Sequence, residues 1–155
     1  MNEALARLAE DVGLLRADNA GLRLAFGLAC VSRVQHLLED PRALEGMAVL
    51  RECVERGCDA AALNAATQEA ARIANSHRGS NSIDGSAHAA VSATYALANA
   101  LAGRALDAAS YAAYASVYAY GGYAVTDPAS FEPEFEWQRG ELSRLAALRP
   151  LQRTL

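Results

Sequence analysis

The chain has 155 residues, a formal net charge of −4 and a pI near 5.3, and 52% of it is hydrophobic. Alanine supplies 36 residues and lysine none, so all 14 basic residues are arginines. This composition excludes a disordered chain, lacks a convincing apolar run of about 18 residues for a membrane span, and argues against general nucleic-acid binding, which wants a basic face.

The N-terminus, MNEALARLAED, has no basic start followed by an apolar core, so no signal peptide is read and a cytoplasmic setting is expected. Segment 3–17 carries Leu5, Leu8, Val12 and Leu15 at spacings of three and four, a single helical stripe. Segment 21–39 places Leu24, Leu28, Val31, Val34 and Leu38 on overlapping helical faces and runs into Asp40-Pro41. Asp40 can cap the next helix, with Pro41 at its first position where no backbone donor is needed. That helix carries Leu44, Met47, Leu50 and Val54 and stops at Gly57. Asp59 caps a helix through Leu63, Ala66, Ala70 and Ile73 to about His77, and Arg78 to Ser82 reads as a loop.

From there the character changes. Two Ala-rich segments, about 84–103 and 105–120, meet at Gly103-Arg104, and Arg104 and Asp107 are the only charges between Gly85 and Ala124. Helices with so little polar surface are buried on most sides. Gly121-Gly122 ends the second, and Asp127-Pro128 opens a last stretch, 128–147, in which Glu-Pro-Glu predicts an early kink or a late start. Residues 150–155 are expected to fray and 1–20 to be peripheral. The expected fold is all-α, a single-domain bundle of six or seven short-linked helices. Methyl side chains bury little area each but cost no side-chain entropy, which suits helices packed backbone to backbone.

The chemistry-bearing residues are sparse. His36, His77 and His88 fall on three different segments with no metal-ligand spacing, so no metal and no cofactor is expected. Cys53 and Cys58 are five apart, not the two-residue gap of a redox or zinc pair, and all three cysteines read as small buried apolar residues. Ser80, Ser82 and Ser86 lie near His77 and His88 in sequence, but no orienting acid or oxyanion site is evident. Without lysine, Schiff-base chemistry is excluded. Asp84 and His88 are four apart, and with Tyr95, Tyr111, Tyr114 and Tyr118 they form a candidate pocket between the central helices. Asp127, Phe131, Glu132, Glu134, Glu136 and Trp137 form a candidate partner surface: clustered acids beside apolar anchors suit a basic partner.

Three stretches, Arg33-Val34-Gln35-His36-Leu37-Leu38-Glu39-Asp40-Pro41-Arg42, Ala87-His88-Ala89-Ala90, and Glu136-Trp137-Gln138 followed by Leu142, resemble the all-helical immunity proteins of bacterial polymorphic-toxin systems. The similarity spans roughly residues 22–148. It implies a small cytoplasmic protein that binds and neutralises a cognate toxin, and it supplies no catalytic residues. The expected function is therefore a non-enzymatic immunity protein whose partner is a basic toxin, with no direct nucleic-acid or membrane contact. The alternatives are a small-molecule binder or enzyme using the Tyr/His pocket, and a homodimeric structural protein using the tyrosines as a seam.

Overall fold

The computed structural model describes residues 2–76 and 86–153, with side chains described for 2–76 and 88–148. Among the described residues there are seven α-helices and no strand: α1 (Glu3–Val12), α2 (Ala20–Ser32), α3 (Pro41–Arg56), α4 (Ala60–Ser76), α5 (Ser86–Leu101), α6 (Ala105–Tyr120) and α7 (Glu132–Arg153). The all-α bundle follows the expected order of elements. No helix among the described residues is long and apolar enough to cross a membrane.

Two long segments divide where periodicity alone predicted continuity. The first helix stops at Val12, not 17, because Gly13 turns left-handed (φ 69°). The Gly13 amide donates to Glu10 O and the Leu14 amide to Ala9 O, at 3.1 and 2.8 Å. These two bonds close a Schellman motif, and Leu14 and Ala9 are both buried in the main core. Arg23 then fastens the turn, donating to Leu14 O and Arg16 O at 2.9 and 2.6 Å. The second segment ends at Ser32 and passes through a 3₁₀ turn, Gln35–Leu37. Val34 and Leu38 are buried all the same, so the apolar stripe survives while the helix does not.

The cap signals at Asp40, Asp59 and Asp127 are realised as read, whereas Asp18-Asn19, which also offers a cap in the sequence, gives α2 no side-chain cap bond from Asn19. The Asp40 carboxylate accepts from the Arg42 amide at 2.9 Å and Asp59 from the Ala61 amide at 3.0 Å. Asp127 accepts from the Ala129 amide at 3.0 Å, opening a 3₁₀ turn, Pro128–Phe131, before α7 begins late at Glu132. The backbone of α7 stays helical through Arg153, past the expected end near 147, since a proline so close to the end removes only one hydrogen bond. The loop expected at Arg78 to Ser82, and with it Ser80, Ser82, His77 and Asp84, lies outside the described residues, as does the side chain of Ser86.

The core is centred on the Ala-rich pair. Ala93, Ala96, Leu97, Ala100 and Leu101 of α5 meet Ala105, Ala108, Ala109 and Ala112 of α6, all buried, and α2, α3 and α4 pack around α5. Where α2 crosses α5 the backbones nearly touch: a Cβ added at Gly27 would stand 3.0 Å from Ala100 Cβ and 3.2 Å from its Cα. Small residues permit that approach, as the composition implied. The N-terminal helix is not peripheral. Leu5 and Ala9 enter the core, and α1 packs along α7, tied by Asn2 Nδ2 donating to Phe135 O at 3.3 Å and Gln138 Oε1 at 3.5 Å.

One cysteine expectation is corrected. Cys53 and Cys58 are joined in a disulfide, while Cys30 remains free and buried. A separation of five is out of register within a helix. Here α3 ends between the two residues, and Gly57 (φ 101°) turns the chain back over the last turn. Burial raises the Cys30 thiol pKa far above its ordinary value, with Glu134 and Glu141 adding to the effect, so it stays protonated and unreactive.

Candidate functional site

Among the described residues, the α5–α6 interface is filled by buried alanines, and the rings assigned to the predicted interhelical pocket lie at its margin, while Asp84 falls outside the described residues. His88 is exposed, and Tyr111 and Tyr114 are 37% and 44% exposed. Tyrosines at i, i+3 and i+7 of an alanine helix lie along its outer side when the inner side is already closed by methyl groups. Tyr95 is half-buried and stacks on Tyr111 at 5.2 Å between ring centroids, its hydroxyl hydrogen-bonded to Asn75 at 3.1 Å.

The rings are instead joined into a surface ladder. His88 stacks on Tyr118 at 5.3 Å, Tyr118 adjoins Tyr114 at 6.3 Å, and Tyr114 meets Phe131 edge-on at 5.1 Å. Phe131 adjoins Phe135 at 5.6 Å. At the end of α6, Tyr120 and Tyr123 face each other at 6.3 Å and are 78% and 72% exposed. A hydrogen bond between them raises the Tyr123 pKa.

The ladder leads into a cleft of about 940 Å³ between α1, α6 and the start of α7. Its lining combines aromatic and aliphatic residues, Tyr114, Phe131, Phe135, Val125 and Pro128, with polar ones, Asn2, Glu3, Ser110, Glu132 and Arg139. Glu132 and Arg139 pair along α7 at 3.2 Å.

The predicted acidic patch is redistributed. Glu134 is not solvated. It is 7% exposed and takes Arg33 in a two-pronged ion pair, Nε to Oε1 at 2.7 Å and Nη2 to Oε2 at 2.9 Å. That hydrogen bond raises the Arg33 pKa further, and the same guanidinium covers the Trp137 ring at 4.2 Å from its centroid. Trp137 packs against the main core, and Phe131 is 8% exposed, so neither is a free anchor. Asp127, Glu132 and Glu136 are exposed. Of the two groups predicted from sequence, the structure brings Tyr114, Phe131 and Glu132 together in the cleft and places Glu134 and Trp137 in the α2–α7 contact. Asn2, Glu3, Ser110, Val125, Pro128 and Arg139 were not anticipated, because the α1–α7 pairing that assembles them spans 133 residues of sequence. Among the described residues no three His, Cys, Asp or Glu gather as a metal site. Compared with protein-family models, curated proteins and solved structures, the chain matches none of them.

Proposed function

We propose that this chain is a non-enzymatic binding protein that neutralises a bacterial toxin by covering part of its surface. The observation that carries this reading is the exposed tyrosine ladder running into the α1–α6–α7 cleft. Tyrosine gives a large contact area at low entropic cost and tolerates both water and an interface, which is why interfaces are rich in it. The resemblance of the Arg33–Arg42, Ala87–Ala90 and Glu136–Leu142 stretches to toxin-immunity proteins supplies the class of partner. Neutralisation by coverage needs affinity and steric bulk, and no reacting group on this chain.

The test is co-expression with a toxin encoded beside this gene, comparing the native chain with Tyr114→Ser/Tyr118→Ser. The native chain is expected to restore growth. The double variant is expected to bind the toxin at least about tenfold more weakly, in line with loss of two interface tyrosines. Failure of the native chain to restore growth would overturn the reading. A second reading, a small-molecule binder, is favoured by the cleft volume, which falls within the range of ligand sites. It predicts thermal stabilisation by a metabolite pool with no dependence on Tyr118, which stands in the ladder outside the cleft.

A further inference from the structure

The cleft carries a charge imbalance that its aromatic wall does not explain. Glu3, Glu132 and Arg139 line it. Asp127 precedes the lining Pro128, while Asp107, Glu136 and Arg7 lie one helical turn from Ser110, Glu132 and Glu3. Five carboxylates thus stand against two guanidiniums, an excess of three negative charges. The starts of α1, α6 and α7 each add roughly half a positive charge within their first turns, which halves the excess without reversing it. Arg139 is already held by Glu132. A second copy would bring the same excess to the seam, and like charges facing each other oppose closure. A basic partner is attracted by the same border.

We propose that the cleft is the seat of a basic segment of a partner protein. The segment places an aromatic or aliphatic side chain against Tyr114 and Phe135, and turns its arginines or lysines toward Glu3, Asp107, Asp127 and Glu136. This inference rests on the toxin-binding reading and gives it a location and a partner chemistry. Tyr114 is 44% exposed and Phe135 half-buried, so both present ring surface that an incoming side chain covers. Glu134 takes no part, since Arg33 holds it from within.

The experiment titrates the full chain with three pentapeptides and follows backbone amides by NMR at low and high salt. One peptide has four arginines around a central tryptophan, one has four glutamates around tryptophan, and one has four arginines around glycine. The basic tryptophan peptide is expected to shift the amides of Ala113, Tyr114, Val125 and Phe135. It should bind at least about tenfold more tightly than the acidic one and weaken as salt screens the border. Ser110→Trp, an exposed position at the cleft, should abolish these shifts with the helical circular dichroism unchanged. Glu3→Arg/Asp107→Arg should weaken binding while leaving the shifted amides the same. Equal affinity for the acidic and basic peptides, shifts confined to other faces, or self-association through these same amides would overturn the proposal. Peptide binding without growth rescue would support the seat and overturn the toxin reading. Full rescue and undiminished toxin binding by Ser110→Trp would overturn the seat and leave the toxin reading standing.

Discussion

Arg33 and Glu134 illustrate how unequal the two halves of an ion pair can be. The Glu134 side chain is 9% exposed and that of Arg33 is 40% exposed. Remove the carboxylate, and the guanidinium can turn to water while keeping its place over Trp137. Remove the guanidinium, and a desolvated carboxylate is stranded. We therefore expect Arg33→Leu to lower the unfolding free energy by about 3 kcal/mol and Glu134→Leu by about 1 kcal/mol, within the range for broken, partly buried pairs. Urea unfolding at neutral pH measures both, and equal or reversed costs would refute the asymmetry. Nothing local to Glu134 reveals this role: Glu132 and Glu136 flank it and are exposed, and its partner lies 101 residues earlier in the chain. The Cys53–Cys58 pairing is hidden in the sequence for a related reason. A spacing of five excludes pairing within a helix, but the turn at Gly57 decides the matter.

Among the elements, the alanine helices were the most legible, because scarcity of charge over forty residues leaves burial as the consistent outcome. The caps at Asp40, Asp59 and Asp127 are equally legible, each acting within three residues of itself. Helix ends set by glycine conformation or by a short 3₁₀ turn were not, since a stripe such as Leu5, Leu8, Val12 and Leu15 continues past the break. Glycines inside helices separate the two effects a methyl group can have. Gly140 in α7 faces open space, and Gly27 in α2 faces Ala100. Gly140→Ala should stabilise by about 0.5–1 kcal/mol through lower backbone entropy in the unfolded chain. Gly27→Val should destabilise by about 1–3 kcal/mol by forcing α2 away from α5. Thermal melts distinguish the two, and a stabilising Gly27→Val would contradict the close crossing described above.

On the scale of the molecule, the fold was legible and the cleft was not. Bundle, helix number and buried centre follow from patterns within single segments. The cleft is made where α1 returns to α7 across nearly the whole chain, and only three of the residues singled out from sequence, Tyr114, Phe131 and Glu132, line it. Of the acids adjacent in the sequence, Glu132 lines the cleft, Asp127 and Glu136 are exposed, and Glu134 is turned inward to Arg33. The central α5–α6 contact has a different consequence. These helices share the most extensive contact of any two in the bundle and are joined by only Ala102, Gly103 and Arg104. Their mutual recognition closes a very short loop, so it costs little chain entropy and can precede every longer-range pairing. The hairpin is then the expected nucleus of folding, with α1 docking last. In native-state hydrogen exchange, amides from Ala93 to Ala115 should open only with global unfolding, and those of Leu5 to Ala9 at lower free energy. Earlier opening of the hairpin than of α1 would reverse that order of assembly.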